Sequence, residues 1–234
     1  MAFFQLLCYT VISRGPSGKA RVPAAQIKEE LNMNVRFKPR ELTLLGLMTA
    51  LLLVMSCTPL GYLHLGTTDI TLNMIPVAIT AAALGPVGGA ITGTVFGITS
   101  FLQCLGIGGL SSMGVAMLAI SPLFTVITCI VPRVLAGLLT GFVCRWVRKK
   151  WNSTVAGFAA GFSAAFLNTL LFMPTLVGLF GKSDFIQNMM GGMSILMFVG
   201  LTVAFNGMLE ALVSTIVTGF LCKVLEKARL LHIG

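Results

Sequence analysis

The 234-residue chain predicts an all-α membrane protein, a bundle of six transmembrane helices. Three observations carry that prediction. Hydrophobic residues make up 56% of the chain and charged residues 10%, with a mean hydropathy of +0.95, whereas about a quarter of the residues of a soluble domain are charged. Fourteen of the sixteen Lys and Arg fall in three clusters, seven before Glu41, four in Arg145–Lys150 and three in Lys223–Arg229. Such clusters flank apolar spans when positive residues are retained on the cytoplasmic side. Third, the stretch Asp69–Leu102 holds two apolar runs broken by Gly85-Pro86, with Asp69 its only charge. It is too uniformly apolar for a one-sided helix of a water-soluble core.

These patterns exclude several function classes. The formal charge of +9 reports topology rather than nucleic acid, since no basic groove interleaved with aromatics exists. The six cysteines (Cys8, Cys57, Cys104, Cys129, Cys144, Cys222) stand singly, without the spacing of a metal site. They read as free thiols buried in lipid-facing helices. Gly15–Ala20 lacks the first glycine and the final hydroxyl of a phosphate loop, so no nucleotide site is expected. No nucleophile–base pair is visible, with His64 and His232 outside the spans, and an enzyme is not expected. No cofactor is implied.

Residues 1–40 read as an N-terminal cytoplasmic extension, 41–229 as the membrane domain and 230–234 as a tail. The run Phe3–Ile12 is too short to span and lacks the positive flank of a signal peptide. It suits an interfacial helix, or an upstream extension with initiation at Met33. The first span is expected at Leu42–Ser56, with Gly46 and Ala50 four apart, a spacing suited to close helix contact. An outer loop, Thr58–Asp69, follows. Gly85-Pro86 then turns a helical hairpin, with spans two and three at Thr71–Leu84 and Val87–Leu105. Gly89, Gly93 and Gly97 recur every four residues and form a packing seam on one face.

The fourth span is expected from Met117 to Val143, closed by the basic block with Trp146 and Trp151 at headgroup level. Span five is read at Val155–Phe180, with Gly157 and Gly161 as a second close-packing pair, and span six at Met193–Leu221. Six crossings place both termini in the cytoplasm, with only Lys182 outside.

Polar groups at membrane depth are costly unless paired, and each is a hypothesis of structure or function. Arg133 lies twelve residues before Arg145 and Glu210 thirteen before Lys223, which puts both roughly 18 to 20 Å above the inner boundary at about 1.5 Å per residue. An ion pair between them is the economical arrangement. Direct contact with a substrate is the rival reading. Asn206 is one turn outward of Glu210, and Asn168 on the fifth helix lies at a similar level. Two amides would then converge, offering donors and acceptors to a small ligand or to each other. Asn73 and Gln103 border the outer side with weaker claims.

A family resemblance rests on residues from Leu42 to Lys227. Ile75-Pro76-Val77, Ala83–Pro86 and Phe96–Ser100 are similar to the second and third helices of the substrate-binding S components of energy-coupling-factor (ECF) vitamin transporters. Ile130–Gly137 resembles their fourth helix. Ala165–Met173 and Asn206–Ala211 resemble the fifth and sixth helices of the pantothenate type. Met74 departs from that type, which carries a histidine before the Ile-Pro of helix two.

The resemblance implies a multi-pass cell-membrane subunit that captures a vitamin, pantothenate first and riboflavin or folate as alternatives. Its implied partners are a transmembrane coupling subunit and two ATPase subunits, within membrane lipid. It implies that Gly46 and Ala50 face the coupling subunit, and that the first outer loop lids the pocket, with Thr67, Thr68 and Asp69 in contact. A stand-alone secondary transporter is the rival of another class; it calls for ion-coupling carboxylates and internal repeats, and the chain shows only Glu210 and no repeat.

Overall fold

The computed structural model describes residues 39–58, 61–65, 68–107 and 112–227. The expectations for the N-terminal extension, for Thr67 and for the tail at 230–234 lie outside those residues. Among the described residues five helices are long and apolar enough to cross a membrane: Pro39–Cys57, Met74–Cys104, Pro122–Lys150, Ser153–Phe180 and Ile195–Lys227. Six separate spans were expected, and the count differs at the second of these helices.

Helix α1 (Pro39–Cys57) buries Leu44, Met48, Leu52 and Ser56, a stripe repeating every four residues. Its other faces stay open. The loop that follows is not irregular. Strands β1 (Tyr62–Leu65) and β2 (Thr68–Thr71) pair antiparallel, from Tyr62 opposite Thr71 to Leu65 opposite Thr68. Because residues 68–71 serve as a strand, the next helix starts at Met74 and not at Thr71.

Helix α2 (Met74–Cys104) is continuous only by hydrogen-bond pattern. Gly85 sits at φ 72° and ψ −158°, a backbone region closed to side chains with a Cβ, and Pro86 restarts the helix. The chain doubles back there. Thr92 Oγ1 lies 2.7 Å from Thr80 Oγ1, though the two are twelve residues apart and a straight helix would separate them by about 18 Å. The first limb, Met74–Leu84, rises only about 16 Å, short of a hydrocarbon core of about 30 Å. Its residues Met74–Ala82 are all buried.

The second limb packs along α4 (Pro122–Lys150) with no side chain between the backbones. A Cβ on Gly89 would collide with the Gly137 carbonyl, one on Gly93 with Arg133 and one on Gly97 with Ile130. As one index climbs by four, its partner falls by about four. The pair is therefore antiparallel, and the predicted glycine seam is the contact that holds it. Near the C-terminal end of α4, Arg148 Nη2 donates to the Ala82 carbonyl. That bond satisfies one of the acceptors left open where the first limb stops.

The expected start of the fourth span at Met117 does not hold. Met117 belongs to a separate short helix, α3 (Ser112–Ile120). Ser121 is extended, and Pro122 opens α4 at a position where the missing N–H costs nothing. Helix α5 (Ser153–Phe180) is followed by α6 (Asp184–Met190), capped by Ser183. Met117, Leu176, Phe180, Ile186 and Met190 form a second, small core.

The last membrane helix is interrupted. Helix α7 (Ile195–Thr202) passes through a π turn at Val203–Gly207 into α8 (Met208–Lys227). No residue of α7 is buried, whereas α8 buries Glu210, Ala211, Ser214, Thr218, Gly219 and Cys222. Gly161 of α5 meets the backbone of Ser214 and Thr215, and Gly157 meets Cys222, so α5 and α8 also run antiparallel in close contact.

Candidate functional site, a buried polar layer

Pro132 has no N–H and leaves the carbonyl of Thr128, one turn earlier, without its helical partner. The next residue supplies the donor. The Arg133 side chain turns back along α4, and its Nη1 donates to Thr128 O at 3.1 Å and to Cys129 O at 2.9 Å. Phe96 of the second α2 limb and Phe172 of α5 stand 5.0 and 5.1 Å from the guanidinium carbon, each within cation–π range. Arg133 is buried, and its Nε–H has no partner.

Glu210 is held from the same helix, α5. Thr169 Oγ1 donates to Glu210 Oε2 at 3.2 Å, and Glu210 Oε1 is left unpartnered. Phe172 and Thr169 are three residues apart on α5, so the Arg133 and Glu210 anchors lie about one helical turn from each other. The expected ion pair is not formed. Each charged group is engaged elsewhere, Arg133 with its own helix and Glu210 with Thr169.

The amides join the same layer. Asn168 precedes Thr169 and is buried, with Oδ1 unpartnered. A Cβ on Gly207 would sit 3.3 Å from Thr169 Cγ2, which brings the π turn that carries Asn206 against α5. Asn206 Oδ1 is also buried without a partner. Asn73 is wholly buried, and both its amide nitrogen and its oxygen lack partners. Its level follows from packing: a Cβ on Gly137 would sit 3.3 Å from Val77 Cγ1, and Asn73 and Arg133 each precede that contact by four residues, one helical turn. Strand β2 touches the π turn and α8, so the hairpin lies over this layer.

Not every predicted residue is gathered in. Gln103 Nε2 donates to the Ser56 carbonyl at 2.6 Å and ties the C-terminal end of α1 to α2. Asp69 lies in β2, opposite His64. Gly46 and Ala50 are exposed on α1, and a Cβ on Gly46 would meet nothing within 4 Å. Sequence reasoning missed Phe96, Thr169 and Phe172. Thr169 carries the one available signal, a hydroxyl beside Asn168 at membrane depth.

The family described as ECF transporter, substrate-specific component matches residues 40–221 of the 234. The chain belongs to that family. No curated relative matches it. As an ECF substrate-specific component it is a multi-pass membrane protein that takes a small-molecule substrate and works with an ECF module. Its matched region runs from the start of α1 to Leu221 of α8 and contains the whole polar layer.

Proposed function

We propose that this substrate-specific component captures a vitamin from outside the cell, pantothenate foremost, for uptake driven by the ATPases of its ECF module. The observation that supports this reading is the set of buried, unpartnered polar atoms on Asn73, Arg133, Asn168, Asn206 and Glu210. Buried polar groups are normally satisfied, and a set left open together is what a hydrogen-bonding ligand would complete. The likeness of Ala165–Met173 and Asn206–Ala211 to the pantothenate type supplies the vitamin.

In this reading the chain crosses the membrane six times, the short first limb of α2 counting as one crossing together with the β hairpin above it. Both termini are cytoplasmic, residues 1–40 form an extension, and 230–234 form a tail. The β1–β2 hairpin, which carries Asp69, lids the site together with Thr67, and Gln103 braces its rim. The open Gly46/Ala50 face of α1 takes the coupling subunit, and the bundle reorients as a body. Calorimetry with purified chain in nanodiscs tests the vitamin: saturable pantothenate binding, weakened by Asn168→Ala or Asn206→Ala, is the expected result. A well-folded preparation that ignores pantothenate ends that assignment.

A further inference from the structure

We propose that the C-terminal end of α4 binds one anionic phospholipid, its phosphate held by Arg145 and Lys149 and its acyl chain laid along Phe142 and Trp146. The site is separate from the polar layer and independent of the vitamin reading. Two arginines of α4 converge on the turn of α2. A Cβ on Gly85 would sit 3.3 Å from Arg145 Nε and 3.6 Å from its Nη2, so that guanidinium rests on the glycine. Arg148 donates to the Ala82 carbonyl, three residues away on the same turn. No acid of the surrounding helices meets these charges. The sequence holds no Asp or Glu between Asp69 and Asp184, so α2, α4 and α5 bring none to this corner. Like charges held together without a counter-charge repel, and an anion set between them relieves that cost. Arg148 is half-buried and engaged with Ala82, whereas Arg145 is exposed, and its planar fork suits a phosphate. Lys149, exposed four residues on, shares the Arg145 face.

The surface beside these cations makes the anion a lipid. Phe142, Trp146 and Lys150 are spaced by four and all exposed, so they form one stripe along α4. It lies about 60° to 100° around the helix from Arg145, next to the cationic face. The stripe passes from hydrocarbon to indole to ammonium, the order of a phospholipid from chain to headgroup. Lys150 Nζ stands 4.7 Å from the centre of the Trp146 ring, which keeps that charge beside the indole. Indoles settle at the boundary between chains and headgroups, and Trp151 is exposed at the same end. A free phosphate would use the cations alone and leave the stripe idle. The bases at the end of α8 have a different setting: Lys223 and Lys227 both have Glu226 within one turn and no tryptophan near in sequence.

Trp146 and Trp151 are the two tryptophans of the chain, so indole fluorescence reports on this corner. The test places the full chain in phosphatidylcholine bilayers and replaces a small fraction of the lipid by a brominated quencher, either phosphatidylglycerol or phosphatidylcholine. Brominated phosphatidylglycerol should quench at a mole fraction at least about tenfold lower than brominated phosphatidylcholine, the scale of two cations at an anionic surface. Arg145→Gln/Lys149→Gln should erase that ratio, and Lys223→Gln/Lys227→Gln should leave it. Lys149→Gln alone, a change at an exposed side chain, should lower the ratio several-fold and keeps the test valid if the double variant misfolds. Millimolar inorganic phosphate should leave the quenching in place.

Equal quenching by the two lipids, a ratio that survives the loss of Lys149 or of Arg145 and Lys149 together, or an equal fall on loss of Lys223 and Lys227 overturns the inference. Displacement of phosphatidylglycerol by inorganic phosphate also overturns it and leaves a free-phosphate site in its place.

Discussion

Gly89 and Gly46 are the same residue in opposite surroundings. A methyl on Gly89 would enter the Gly137 carbonyl, while one on Gly46 meets open space. Gly89→Ala should therefore cost about 1 to 3 kcal/mol, the usual penalty of overpacking, seen as a lowered melting temperature in detergent. Gly46→Ala should leave melting unchanged. If Gly46 faces the coupling subunit, Gly46→Leu should weaken copurification with that subunit at undiminished stability; intact copurification would move the contact elsewhere. Single residues also show what the chain alone discloses. Arg133 and Glu210 were placed at one level by counting residues, because the helical rise is nearly constant. Their expected pairing failed because depth says nothing about rotation, and rotation is settled by Phe96, Phe172 and Thr169 on other helices.

At the scale of elements, the hairpin at Gly85-Pro86 and the glycine seam were legible since both depend on residue types with few other uses. The β1–β2 pair was not, as its strands are four residues each and carry too few positions to show a period. The π turn was equally hidden: one surplus residue in a run of apolar side chains leaves no compositional mark. Deleting Ala204 should remove the surplus residue and return this stretch to α geometry. Ligand binding should fall while α8 still packs on α5, with little change in melting temperature; a collapse of stability would show the turn to be structural only. The C-terminal end of α2 has its own reporter. Cys104 Sγ and Cys129 Sγ lie 3.7 Å apart on α2 and α4. A thiol oxidant should join those two and spare exposed Cys57, read as a linked peptide by mass spectrometry.

For the whole molecule, the orientation is testable through Cys57, exposed at the end of α1. In a Cys8→Ser background, a maleimide that cannot cross membranes should label Cys57 from outside intact cells. Labelling only after lysis would invert the topology.

The seam between α2 and α4 has a further consequence. Where carbonyls and α-carbons touch directly, no file of water can thread between α2 and α4. Embedded in liposomes by itself, the chain should let an imposed proton gradient persist as long as bare lipid does.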